Sequence, residues 1–242
     1  MSSLDGNLVK KAHTKESYTD EQLLELAKCA DPDTGPAYFL ENYFWIQHPR
    51  RGRIQYHAYE YQKRLLESYH THRFSVNLMP RQTGKTTTAA GYLLWYTMFV
   101  PDSTILVAAH KYAGSQEIMQ RIRYSYEDVP DFIRPGVYSY NKGSIDFDNG
   151  SRIVSTTTTE NTGRGLSISL LYLDEFAFVK PNIAKEFWTS ISPTLATGGG
   201  AIITSTPNSD EDQFAMIWRE ANKTIDEHGN QTDLGRNGFF AF

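Results

Sequence analysis

Cysteine is almost missing from this chain: Cys29 is the only one in 242 residues. A disulfide framework and a cysteine-rich metal site are therefore excluded. A lone thiol fits a reducing compartment without requiring one. Long apolar runs are missing too, and none approaches the ~18 residues of a membrane-spanning helix. The opening stretch MSSLDGNLVKK carries no apolar signal-peptide core. Positive charge is not in excess: 24 Lys and Arg stand against 28 Asp and Glu, a net charge of −4. No global basic field draws the chain to nucleic acid, so such a contact would need a local patch. Internal repeats and low-complexity blocks are also absent. What is present is a large apolar stock, 40% hydrophobic residues with 13% aromatic, enough for the core of one large α/β domain or two small ones.

The chain is organised around Phe74 to Thr88, FSVNLMPRQTGKTTT. An apolar run passes into Pro80-Arg81-Gln82-Thr83-Gly84-Lys85-Thr86, and a helix-like segment follows. Gly-Lys-Thr at this junction is the tail of a phosphate-binding loop. Gly84 lets the backbone turn its amides inward, and a helix N-terminus adds positive potential. Lys85 can reach the β- and γ-phosphates of a nucleotide, and the Thr86 hydroxyl can ligate Mg²⁺. The general pattern places a further glycine where this chain has Met79.

Upstream, Thr19-Asp20-Glu21-Gln22 is a capping-box pattern, and a helix with Leu23, Leu24, Leu26 and Ala27 follows before Asp31 to Pro36 breaks it. Tyr38 to Ile46 is aromatic-rich and reads as packing onto the main domain. Residues 48–73 hold Arg50, Arg51, Arg53, Lys63, Arg64 and Arg73 against only Glu60 and Glu67. This is the most basic region, either a solvated helix face or a contact to nucleic acid or phosphate. Tyr59 to Tyr69 reads as a helix with Tyr61, Leu65 and Leu66 on one side. Gln62 lies on it, and its amide offers the donor and acceptors that an adenine edge requires.

Downstream, Thr86 to Phe99 reads as an apolar helix, Thr104 to Ala109 as a buried strand and Tyr112 to Tyr126 as a second helix. Ser144 to Val154 reads as a hairpin, with Asn149-Gly150 predicting a type I′ turn. Thr156 to Leu166 is a loop containing Arg164. Ser169 to Glu175 is a buried strand ending in two carboxylates, and Pro181 to Leu195 a helix. Ala201 to Asn208 is a strand that runs into a polar turn, and Glu211 to Asn222 an amphipathic helix. Residues 226–238 are loop-like. The final Gly-Phe-Phe-Ala-Phe is strand-like, as if the chain stopped directly after a core strand.

Three strands thus deliver polar groups at their C-terminal ends, where sites gather in parallel α/β sheets. The first gives Lys85 and Thr86, the second Asp174 and Glu175, and the third Thr204, Ser205, Thr206 and Asn208. Phosphoryl transfer needs a cradle for the phosphate, a hydroxyl and a carboxylate for Mg²⁺, and a base that positions water. Asp174 suits the Mg²⁺ role through water, and Glu175 suits the base. Two arginines are candidates for the charge that builds on the transferring phosphate: Arg81 in cis, and Arg164 toward a neighbouring subunit.

PRQTGKTT, LLYLDEFAF and ITSTPN, in this order and spacing, resemble the ATPase domain of the large terminase subunit of tailed bacteriophages, particularly the T4-like type. The DNGSRI hairpin and the Arg-Gly after it are similar as well. The resemblance covers roughly residues 40–242, and the missing loop glycine is normal for that family. It implies a P-loop NTPase of the ASCE, RecA-like class: a mostly parallel central sheet flanked by helices, with the glutamate strand and the polar-turn strand central. Residues 1–40 would form an N-terminal tail and small helical subregion, and 41–242 the motor domain.

Carried onto this chain, the resemblance implies that Arg81, Gln82, Thr83, Gly84, Lys85, Thr86 and Thr87 hold the phosphates of ATP. Thr86 and Asp174 would serve Mg²⁺, and Glu175 would activate water. Thr204-Ser205-Thr206 with Asn208 would couple hydrolysis to DNA movement, Gln62 would recognise adenine, and Arg81 and Arg164 would act as arginines in cis and in trans. The implied partners are double-stranded viral DNA, the portal protein, the small terminase subunit and further copies in a ring, in the host cytoplasm and without a membrane. The family's nuclease domain has no counterpart in these residues, so ATP hydrolysis without DNA cleavage is expected. The alternative is another DNA-dependent ATPase of helicase type, which shares the glutamine motif but needs a second RecA-like domain.

Overall fold

The computed structural model describes residues 8–163, 165–226 and 228–242. The N-terminal helices are α1 (Asp20–Ala30) and α2 (Gly35–Tyr43). The capping box forms: Thr19 Oγ1 accepts from the Gln22 amide at 3.2 Å, and Gln22 Oε1 accepts from the Thr19 amide at 3.0 Å. A division at residue 40 falls inside α2, whose Phe39 and Leu40 lie in the same core as the sheet. A short antiparallel hairpin follows, β1 (Trp45–His48) and β2 (Gly52–Gln55), which the sequence reading did not anticipate. Next comes α3 (Glu60–Thr71). Its buried face is Gln62, Leu65, Leu66, Ser68 and Tyr69. Tyr61, expected on the apolar side, is 36% exposed, so the helix is rotated by about one position from that reading.

The main sheet is built from β3 (Phe74–Leu78), β4 (Thr104–Ala109), β5 (Val137–Tyr140), β6 (Ser144–Phe147), β7 (Arg152–Thr157), β8 (Leu170–Asp174), β9 (Gly200–Ser205) and β10 (Phe240–Ala241). The order is β10-β3-β9-β8-β4-β7-β6-β5, with β10 through β7 parallel and β6 and β5 antiparallel. Both faces of the parallel part are covered, so its strands read as continuous apolar runs. Alternation divides the two cores. Ile105, Val107, Leu170 and Tyr172 face the core that holds α4 (Lys85–Phe99) and α5 (Tyr112–Tyr126). Leu106, Ala108, Leu171 and Leu173 face the core that holds α6 (Pro181–Leu195) and α7 (Gln213–Ala221). The C-terminal strand-like segment is the parallel edge strand β10, with Phe240 opposite Ser75.

One turn differs from expectation. A type I′ hairpin needs positive φ at both central residues. Between β6 and β7 only Gly150 takes it, at +83°. Gly150 donates to the Phe147 carbonyl at 3.3 Å, and Phe147 donates to Ser151 O at 2.8 Å, so the turn closes on a glycine bulge. Asn149 is engaged elsewhere. Its Nδ2 caps the end of α4, donating to Thr97 O and Met98 O at 3.0 Å each.

The helix that follows β3 is buried on most of its surface, and α2 sits on it at Gly91. A Cβ there would lie 3.0 Å from Leu40 Cγ and 3.1 Å from Phe44 Cε1. Gly91→Leu is therefore expected to lower the urea midpoint by an amount equivalent to about 1–3 kcal/mol, the usual range for an overpacked core.

Candidate functional site

The β3–α4 junction is a left-handed loop. Gln82 has φ +62° and Gly84 φ +74°, and Gly84 is the N-cap of α4. A left-handed residue other than glycine carries strain that the surroundings must hold. They do so by anchoring Thr83. Its carbonyl accepts from Gln62 Nε2 at 2.9 Å and from Tyr61 Oη at 2.8 Å, and its hydroxyl donates to Pro80 O at 3.0 Å. A Cβ on Gly84 would fall 2.5 Å from Gln62 Nε2, so only glycine fits. Having no side chain, Gly84 offers no cap, and the first amides of α4 are left without a side-chain acceptor. An open helix N-terminus of this kind suits an anion such as phosphate.

Gln62 is thus part of the loop's frame. Its Oε1 accepts from the Tyr59 amide at 3.0 Å and from Tyr56 Oη at 3.3 Å, while its Nε2 holds Thr83. Both ends of the amide bond to the protein, and in this conformation it braces the loop. Arg81 and Gln82 are exposed, and Thr83, Thr86 and Thr87 half-buried.

Lys85 is buried, and its Nζ lies 2.7 Å from Glu175 Oε1. The pair spans 90 residues of sequence and closes because β9 lies between β3 and β8 in the sheet. Glu175 leaves the end of β8 in a left-handed conformation, φ +51°, which swings its carboxylate off the strand line. The second oxygen is held from β9: Oε2 accepts from the Thr206 amide and Thr206 Oγ1, each at 3.0 Å, and from Ser205 Oγ at 3.4 Å. Burial pushes the Glu175 pKa up, but hydrogen bonds from Lys85 and Thr206 outweigh it, and the net direction is down.

Asp174, one residue earlier, is buried differently. Its Oδ1 accepts from Thr204 Oγ1 at 3.1 Å and from Tyr172 Oη at 3.2 Å. Desolvation raises its pKa, the Glu175 charge adds to that, and Lys85 opposes it. The two adjacent carboxylates are therefore pushed in opposite directions, the arrangement that separates two acidic roles. Thr204 is fully buried beneath Asp174 and serves that carboxylate, while Ser205 and Thr206 serve Glu175. Asn208 ties the end of the turn down through Nδ2 to Ala177 O at 3.0 Å.

Two further contacts hold the start of α4. Arg121 on α5 donates to Thr87 Oγ1 at 3.0 Å, and Tyr56 bonds Thr88 Oγ1 at 2.7 Å. Both join the first turns of α4 to elements distant in sequence, and no local pattern marks them. Arg164 lies outside the described residues.

The donor set fits a magnesium nucleotide. Lys85 already holds a carboxylate, so an anion is accommodated there; Thr86 lies in the first turn of α4 after β3, and Asp174 ends β8, with β9 between the two strands. Asp174 also generates a measurable consequence. Its raised pKa means that ionising it costs stability above that pKa. Asp174→Asn, which keeps an acceptor for Thr204, is expected to raise the urea midpoint at pH 8. The gain should shrink as pH falls through the folded-state pKa and vanish below the unfolded value near 3.8.

Comparison with known proteins places this geometry. Residues 76–231, more than half of the chain, match the family described as terminase large subunit, T4likevirus-type, N-terminal. Solved structures share the fold at low identity. The large terminase ATPase domain of Thermus phage P74-26 superposes with a TM-score of 0.61 at 21% identity, over 77% of this chain and 80% of that one. The HK97 bacteriophage large terminase gives 0.61 at 18% identity, over 76% of this chain and 39% of that one. The large terminase of a thermophilic bacteriophage in complex with ADP gives 0.52 at 10% identity, over 76% and 44%. The parallel sheet, the loop at the end of β3 and the family match agree, and the chain belongs to the T4likevirus-type large terminase family, in its N-terminal region.

Proposed function

We propose that this chain is the ATP-hydrolysing motor domain of a viral DNA-packaging machine. The observation that carries the proposal is the 2.7 Å contact between Lys85 and Glu175, with Asp174 beside it, across the β3–β9–β8 edge. The thermophilic phage terminase bound to ADP supports a nucleotide at such a fold.

In this reading residues 81–87 and the open N-terminus of α4 cradle the phosphates, and Lys85 binds the terminal one. Thr86 and Asp174 would hold Mg²⁺, which neutralises charge on the phosphates and orients them for attack. Lys85 cannot serve both the phosphate and Glu175 fully. As it turns to the nucleotide, Glu175 loses its strongest partner while Thr206 still fixes the other oxygen. A negative phosphate nearby then raises the carboxylate's proton affinity. Glu175 thereby becomes the base that takes a proton from the attacking water. Ser205 and Thr206 feel that change directly, which makes them the coupling elements, and Asn208 anchors their turn.

Arg81 is the arginine proposed to act in cis, and Arg164 in trans between copies in a ring. The track would be double-stranded viral DNA, with the portal protein and the small terminase subunit as partners, in the host cytoplasm. Glu175→Gln is expected to bind ATP as the natural chain does while its steady-state hydrolysis falls roughly 10²–10⁴-fold. Unchanged turnover would assign the base elsewhere. Lys85→Ala is expected to lose nucleotide binding itself, measured by calorimetric titration with ATP and Mg²⁺.

A further inference from the structure

The β1–β2 hairpin is unused by the site, yet it is the most one-sidedly charged feature of a chain whose net charge is negative. Residues 45–57 contain Arg50, Arg51 and Arg53 and no acidic residue. The tip is short: His48 pairs with Gly52, leaving Pro49-Arg50-Arg51 as the connection. The Arg50 and Arg51 amides both turn inward to His48 Nδ1, at 3.1 and 3.2 Å. Both side chains belong to exposed residues, and among the described residues neither forms an ion pair. Gly52 has φ +67° with open space around it, so the tip stands clear of the body.

Arg53 has a different task. It is ion-paired with Asp128 at 2.8 Å and lies over the Trp45 ring at 4.3 Å. The Trp45 amide donates to Ser125 Oγ at 3.0 Å, and the Tyr56 amide donates to Phe44 O at 2.9 Å. The hairpin is therefore braced against the end of α5 and against α2, and a partner need not order it on binding. The same brace reaches the site, since Tyr56 bonds Thr88 in the first turns of α4.

We infer that the hairpin tip, through Arg50 and Arg51, contacts the sugar-phosphate backbone of duplex DNA. Arginine forks match phosphate oxygens bidentately. Duplex DNA presents about one charge per 1.7 Å of axis, a density well suited to a small tip with two free charges. The contact is to backbone, so it carries no sequence preference. The inference rests on the packaging reading for the presence of DNA, and it deepens that reading by naming a surface.

The test is anisotropy of a short fluorescein-labelled duplex, titrated with the full chain and with an Arg50→Ala, Arg51→Ala double variant over a series of salt concentrations. Basal ATP hydrolysis and urea midpoints are measured on the same samples. The double variant should keep the wild-type midpoint and basal hydrolysis. It should bind the duplex about tenfold or more weakly, with the slope of log affinity against log salt reduced by about 2, one for each lost phosphate contact. Equal affinity and slope in the two proteins would overturn the inference, as would a natural chain that does not bind the duplex. Retained duplex binding with lost binding to polyglutamate would assign the tip to an acidic protein surface and overturn it too. If neither protein hydrolyses ATP while duplex binding still depends on the two arginines, the ATPase reading fails and the hairpin contact stands.

Discussion

A buried lysine facing a carboxylate across three strands is the constraint around which this molecule is arranged. Lys85 has little exposed surface, and a buried ammonium without a counter-charge is costly. Glu175 supplies that counter-charge at 2.7 Å. Breaking a buried pair by deleting one partner typically costs about 3–5 kcal/mol, so the pair is stable until another anion competes for the lysine. A nucleotide's terminal phosphate carries more charge than a carboxylate and can also take the free amides of α4. In the proposed mechanism the resting pair would also gate the base.

The strand order makes this possible. Because β9 sits between β3 and β8, its polar end lies between the phosphate loop and the two carboxylates. Thr204 faces down to Asp174, and Ser205 and Thr206 face Glu175. The end of β9 and the residue after it therefore contact both acidic residues. The loop is held from the opposite side by Gln62 and Tyr61 on α3, both bonded to the Thr83 carbonyl. Thr87 and Thr88 extend the network to α5 and to the segment after the hairpin.

Much of this is legible in the residues. Buried parallel strands are apolar on both faces, so β4, β8 and β9 stand out, and helices α5 and α6 are bounded by their spacing and by Pro181. The loop, the carboxylate pair and the polar turn are visible because each is a short local pattern at the end of a strand. What escapes is non-local or conformational. The β1–β2 hairpin has only four residues in each strand, too few for alternation to show. Asn149 takes a capping role that the Asn-Gly pair cannot announce. Nothing in the sequence neighbourhood of Gln62 reveals that its amide also bonds the Thr83 carbonyl. Arg121 reaches Thr87 only because α5 packs against α4.

The most direct test of the account is a structure of the chain with a non-hydrolysable ATP analogue and Mg²⁺. The account predicts the terminal phosphate on Lys85, the 2.7 Å pair with Glu175 opened, and Thr206 still bonded to the Glu175 carboxylate. A nucleotide bound away from residues 80–87, or a phosphate seated there with Lys85 and Glu175 still paired, would contradict it.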